Sequence, residues 1–439
     1  MKMRYLGGLA MASALVLSAC AGGGTSGDAG ESSGSSDSGS SAEGANTLLI
    51  YVDPVREPAC LAYQEKMAGE VDITCEVVGQ EEILPKVVLS NQTGSGWPDV
   101  TFNPSNNVGI FQDPLNGYAL KLDDYVDPAI IDGYNGSGDW CKIEGSYWCL
   151  KNDLAQTVLW YDTVIFEELG LTVPTTMDEF AATALELEGT GYVAGAIGDQ
   201  GFYAGYLWPS GCPISTVIDT DTVQISPDAP ECTRVVELVQ PLVDAGVLDT
   251  RGSFDAGFIE DIARQQKVAM QIGPSWWGQF VIRPEDSWGI PAGRMTAAEM
   301  PSWAGESTNW SGEWGGGVWV GNSNHPNPQI VADAIVFLAT DPDMRADKVT
   351  FPGYTPAFEK WREPLTTDAF YASDPTAAMV AQVPKIRQTE RPARFDLRGQ
   401  LGVLGTEIQG NPGDIAGAVR TFMEGAIELA QGVGYTVVD

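Results

Sequence analysis

This chain of 439 residues has a single histidine, His325, and no C-x-x-C pair. A zinc site, which draws its four ligands from Cys, His and carboxylates, is therefore not expected, and the reading includes no metal and no cofactor. Basic residues are also scarce, with 24 Lys and Arg against 59 Asp and Glu, a formal net charge of −35. So acidic a chain is repelled by nucleic acid and by anionic lipid, which excludes nucleic acid as a partner. The charge is explained by a solvated acidic surface, and no acidic partner or ligand is read from it. A Ser-His-Asp site would have to use His325, yet Asn322-Ser323-Asn324-His325-Pro326 is a turn sequence with no nucleophile motif near it. Asp219 and Asp221 match the start of a calcium loop, but Val223 and Pro230 fall at later ligand positions. A glycoside hydrolase needs two carboxylates flanking one bond, and nothing singles out such a pair. There is no internal repeat of fixed period.

The apolar run from Leu6 to Leu17 follows Lys2 and Arg4 and is shorter than the ~20 residues a spanning helix requires. It fits the hydrophobic core of a signal peptide, residues 1–19. Leu17-Ser18-Ala19-Cys20 resembles a lipobox, in which cleavage precedes a cysteine that is then lipidated; an ordinary signal peptide with a chance cysteine is the alternative. Acylation at Cys20 would anchor the mature chain to the outer face of the cell membrane without embedding it. Residues 20–45 form a flexible Gly/Ser tether; of residues 21–46, sixteen of 26 are Gly or Ser and no side chain exceeds Glu or Asn in size. Such a segment buries too little apolar surface to order, and its span as a coil is roughly 30 Å.

Six cysteines remain beyond Cys20, and an even count in an exported chain reads as disulfides. Fifteen connectivities are open to six cysteines. Their grouping into local pairs favours Cys60–Cys75, Cys141–Cys149 and Cys212–Cys232, with six buried thiols as the alternative.

From residue 46 the pattern alternates strand and helix, which predicts an α/β body with largely parallel sheets. Strands are expected at Thr47 to Asp53, Asp72 to Gly79, Pro98 to Pro104 and Thr157 to Tyr161, and a helix carries Ile83, Val87 and Val88. Asp162 is placed to cap a helix that stops at Gly170, and Thr176 with Glu179 forms a capping box. Helices also carry Val331, Ile335 and Leu338, and Ile415, Val419, Phe422, Ala426 and Leu429, inward. Pro241 inside the apolar pattern Val235 to Val243 predicts a kink or break.

The order of several motifs resembles the family 1 extracellular solute-binding proteins, sugar receptors of bacterial ABC importers. They are Gly96-Trp97-Pro98-Asp99-Val100, the Ala119 to Tyr125 turn, and Val158 to Asp162 leading to Phe166-Glu167-Glu168-Leu169-Gly170-Leu171. Pro174 to Phe180, Lys267 to Trp277, and Gly315-Gly316-Gly317-Val318 before the Asn327–Leu338 helix complete the series. Asp162 and Met177 stand where the family's signature usually has Asn and Trp. The resemblance covers nearly the whole mature chain. It implies a two-lobed periplasmic-binding-protein-like fold of type II, with hinge-linked discontinuous lobes. One lobe is placed at 46–152 and 288–345, the other at 153–287 and 346–439, with the first crossover near Leu150 to Asp153. It further implies a monomer that binds a sugar or oligosaccharide between the lobes, delivers it to the membrane subunits of an importer, and performs no catalysis. A receptor for a peptide or polyamine, a surface glycoside hydrolase, and a non-transporting adhesin or co-receptor are the alternatives.

A sugar presents hydroxyls in its plane and C–H faces above and below, so it needs polar side chains around an aromatic floor. Trp276 and Trp277 follow a strand at Gly273-Pro274; one of them is expected to stack on the ligand, with core packing as the alternative. Glu313 and Trp314 precede three glycines that would let backbone and ligand approach closely, with a plain strand turn as the alternative. Asp53 and Asn103 end predicted strands, the edge where open α/β sheets bind ligands, and Asp153 sits at the proposed crossover; each serves equally as a turn cap. Trp208 and Tyr354 are further aromatic candidates, with structural roles as their alternative.

Overall fold

The computed structural model describes residues 44–104, 108–112, 117–343, 350–388 and 393–439; Cys20, the signal peptide and nearly all of the tether lie outside them. Two sheets organise the described chain. The first contains β1 (Thr47–Val52), β2 (Asp72–Val77), β3 (Val100–Pro104) and β4 (Leu150–Leu154). The second is built on β5 (Thr157–Asp162), β6 (Met270–Pro274) and β7 (Met295–Ala298). The chain returns to the first sheet with β8 (Gly317–Gly321) and β9 (Phe351–Pro352), giving the order β9-β4-β8-β3-β1-β2.

The expected parallel character holds for part of this arrangement. β1 pairs in parallel with β2 and β3, whereas β8 runs antiparallel to both β3 and β4. β6 and β7 both run antiparallel to β5. The reason is connective: strands that return from the other sheet enter from the opposite end, without the helical crossover that makes neighbours parallel. Met295–Ala298, placed by sequence with the first sheet's segment, pairs instead with β5, so the change of sheet falls between Ala298 and Gly317 rather than at residue 288.

Side-chain alternation along β1 explains its position. Leu48, Ile50 and Val52 pack to one side with Val331, Ile335 and Leu338 of α6 (Pro328–Thr340), while Tyr51 faces the other core. Each fully buried aliphatic of α6 contributes roughly 1.5–3 kcal/mol of transfer free energy. α1 (Glu57–Lys66) lies between and is tied to β2 by the disulfide Cys60–Cys75. The other two bridges are Cys141–Cys149 and Cys212–Cys232, so all three local pairs form.

Local signals hold closely around the second sheet. Asp162 accepts from the Val164 and Ile165 amides and caps α3 (Thr163–Leu169), which ends at Gly170 with φ 68°. Thr176 and Glu179 form the reciprocal capping box of α4 (Met177–Leu185). α7 (Arg398–Gly410) is followed by α8 (Ile415–Gly432), which buries Ile415, Val419, Phe422 and Ala426, and Leu429 is half-buried. Two details differ. α2 (Gln80–Thr93) buries Ile83 and Val87 but leaves Val88 exposed, because adjacent residues point about 100° apart on a helix. α5 (Pro230–Asp244) runs unbroken through Pro241, which falls in its last turn. Burial of Val235, Val239 and Leu242 holds that turn despite the missing amide.

Candidate ligand-binding site

A cavity of about 250 Å³ opens beside the crossovers that link the two sheets. Trp276, Glu313 and Trp314, predicted from sequence, line it, and so does Trp208. β6 ends at Pro274, and Trp276 stands two residues later, half-buried, with its indole N–H donating to the Trp314 carbonyl at 2.7 Å. The Trp314 amide donates to the Ala155 carbonyl at 3.0 Å, so both rings are fixed to the β4–β5 crossover. Gly315 and Gly316 then adopt φ 97° and 72°, a region that side-chain-bearing residues rarely occupy, and a Cβ on Gly315 would lie 3.3 Å from the Trp276 indole nitrogen. The glycines thus set the two tryptophans 6.0 Å apart at 73°.

The remaining candidates have other placements. Trp277 is fully buried between Trp288 and Trp314, at 5.3 and 5.5 Å, and so packs behind the floor rather than on the cavity. Asp53 and Asp153 are both held by Arg56, at 2.9 and 2.8 Å, and Gln80, which does line the cavity, donates to Asp53 at 2.8 Å. The Arg56 guanidinium, which also lies 4.1 Å over Phe102, offsets the mutual repulsion of the two carboxylates it bridges. Asn103 is buried, donating to the Thr101 hydroxyl at 2.5 Å. Tyr354 packs against Tyr134 at 5.4 Å. None of these five lines the cavity among the described residues.

Several lining residues were not read from sequence. Gln200 and Tyr203 share a helical segment with Trp208 in which residues Tyr203–Leu207 form a π turn. Its Trp208 amide bonds the Tyr203 carbonyl, an i→i+5 pairing that turns residues 203 and 208 toward one face, as a regular α-helix would not. Their rings lie 5.7 Å apart. Pro209 is the available signal, since a proline cannot donate to the carbonyl of residue 205. The segment also packs hard against Gly312, where a Cβ would meet the Ala204 carbonyl oxygen at 2.2 Å. Trp140, 5.7 Å from Trp208, is pinned by the neighbouring disulfide Cys141–Cys149. Phe395 and Arg398 close the wall from the far end of the chain.

The charges at this site are matched. Glu313 accepts from the Lys151 ammonium at 2.9 Å and from the Ala155 amide at 3.1 Å, and both side chains of the ion pair are buried. Arg398 is held in a fork by Asp396, at 3.0 and 2.7 Å. Glu313 is the sole carboxylate among the described lining residues. Asp199 caps the Gln200 segment, accepting from the Gly201 and Ser253 amides at 2.8 and 2.6 Å. Burial pushes its carboxyl above the ordinary range, and those bonds hold it partway back. His325, far from this chemistry, contacts the Thr47 and Asn327 carbonyls at 3.0 and 2.9 Å.

A mixed α/β body with an aromatic-lined cavity at its crossovers has the features of a small-molecule site. The model of the bacterial extracellular solute-binding proteins matches residues 59–379, and the chain belongs to that family. The arabinooligosaccharide-binding protein of Halalkalibacterium halodurans is 22% identical over 340 residues, 74% of this chain and 74% of that protein. The galacto-N-biose/lacto-N-biose I-binding protein of the ABC transporter from Bifidobacterium longum superposes with TM-score 0.74 at 15% identity, covering 90% of this chain and 99% of that one. The ABC transporter associated binding protein from B. animalis subsp. lactis, in complex with β-1,6-galactobiose, gives TM-score 0.67 at 19% identity, with coverage of 90% and 100%. The fold is thus the two-lobed fold of these binding proteins, and family membership makes the protein extracytoplasmic.

Proposed function

We propose that this protein captures a neutral sugar or short oligosaccharide outside the cell and delivers it to the membrane subunits of an ABC importer, without chemical change. One observation carries the reading: the cavity is walled by Trp140, Tyr203, Trp208, Trp276 and Trp314, and its charged groups are already neutralised by protein partners. Aromatic faces attract the C–H surface of a sugar. A polyamine would need a carboxylate that Lys151 does not already hold, and a peptide terminus would need a guanidinium free of Asp396. Similarity to proteins that bind arabinooligosaccharides, lacto-N-biose and β-1,6-galactobiose points the same way.

In this reading the first sheet is the core of one lobe, the second sheet of the other, and the ligand draws them together because the closed state makes contacts the open state lacks. Lipidation at Cys20 holds the receptor at the membrane; replacing Cys20 by Ser should release it into the medium. The test of function is a thermal-shift screen against oligosaccharides, amino acids, peptides and polyamines. A ligand at 100 times its dissociation constant adds about 2.7 kcal/mol, and a transport receptor is expected near micromolar affinity, about −8 kcal/mol. A shift with one sugar family, recovered intact, supports the proposal. A response confined to peptides or polyamines refutes the carbohydrate ligand, and recovery of cleaved sugar refutes simple capture.

A further inference from the structure

Two phenylalanines stand in solvent against the cavity's tryptophans. Phe254 is 51% exposed and meets Trp314 edge-on, centroids 5.9 Å apart at 89°. Phe280 is 38% exposed and meets Trp276 at 6.0 Å and 76°. With the Trp276–Trp314 contact at 6.0 Å, the four rings form one unbroken series, exposed at both ends, with half-buried Trp276 and buried Trp314 in the middle. Isolated exposed apolar side chains are ordinary on protein surfaces, but these two touch rings that line the cavity. The cavity volume, about 250 Å³, lies below the roughly 300–1,000 Å³ of typical ligand cavities. A chain of several sugar rings would therefore overflow it, and Phe254 and Phe280, each in contact with a lining tryptophan, offer exposed apolar surface for the excess.

We infer that Phe254 and Phe280 are outer platforms of the same site, so that the ligand is an oligosaccharide whose inner rings fill the cavity and whose outer rings lie on phenylalanine. This rests on the sugar-receptor reading and adds chain-length preference to it. An edge-to-face ring contact also holds each phenylalanine without locking its exposed face, which leaves that face free for a C–H surface.

The test is calorimetric titration of the full-length purified chain with arabinooligosaccharides of two to five units and with β-1,6-linked galactooligosaccharides of the same lengths. The wild type, F254A/F280A and F254L/F280L are compared, with melting temperature as the control for folding. Affinity in the wild type is expected to rise with length. In F254A/F280A the longest ligand should weaken about five- to tenfold while the disaccharide stays within about twofold. F254L/F280L keeps apolar bulk without the ring and should share the loss. Equal weakening at all lengths would assign the phenylalanines to supporting the tryptophans and overturn the inference, as would no weakening at any length. Failure of the wild type to bind any of these sugars would instead strike the functional reading itself.

Discussion

Replacement of Asp162 separates two contributions made by one carboxylate. One oxygen accepts from the Val164 and Ile165 amides, at 2.9 and 3.2 Å, and the other from the Arg294 guanidinium at 2.7 Å. The family's motif usually has Asn here, which would cap the helix equally well but could not pair with Arg294. Asp162 is 1% exposed and Arg294 19% exposed, so the pair is shielded on one side only. Breaking a fully buried pair costs about 3–5 kcal/mol. Arg294 keeps some solvent and a bond to Gln266 at 3.0 Å, which brings the expected loss for D162N to about 2 kcal/mol. D162A also removes the cap, worth about 1 kcal/mol more. The assay is urea unfolding of the single variants, R294M and the double variant D162N/R294M, comparing midpoints at constant slope. A coupling free energy of about 1–2 kcal/mol is expected. A coupling near zero, with D162N within about 0.5 kcal/mol of wild type, would refute the ion-pair argument.

Three other changes probe the site and its frame. G312A should push the Gln200–Ser210 segment off its seat, costing about 1–3 kcal/mol and weakening ligand binding, read by calorimetry. Because the folded-state pKa of Asp199 is raised, its contribution to stability is present below its unfolded value of 3.8 and is lost as pH rises through the folded value. The stability of wild type relative to D199N, followed by urea midpoints, should therefore fall between acid and neutral pH; a flat or rising difference contradicts the burial assignment. Removal of the Cys212–Cys232 bridge, which closes a loop of 20 residues, should cost about 3 kcal/mol in the loop-entropy account, measured by denaturation of C212A/C232A.

Legibility in the sequence followed the range of the interactions involved. The Asp162 cap, the Thr176 capping box, the stripes of α6 and α8 and the three short disulfides depend on neighbours within about twenty residues, and each was readable. Trp276, Glu313 and Trp314 were readable because a strand end or a glycine run marks them directly. Trp140, Gln200, Tyr203, Phe395 and Arg398 reach the cavity only through tertiary packing, and a π turn replaces the period on which helical reading depends. The pairing of Asp53 and Asp153 was not legible for a related reason: a strand-end carboxylate serves a ligand or an arginine equally well, and Arg56 is close to Asp153 only in space. The position of Met295–Ala298 was lost likewise, since a short strand carries no mark of which sheet it will join.

The pairing of Glu313 with Lys151 and of Arg398 with Asp396 has an environmental consequence. A receptor outside the cell works in a medium whose salt and acidity the cell does not control. Recognition through unpaired charges would weaken with every rise in ionic strength. Here each charge at the cavity is cancelled within about 3 Å by a group of the same chain, so its field is spent before it reaches the ligand. The proposed binding of a neutral sugar should then be the same in dilute and in concentrated surroundings.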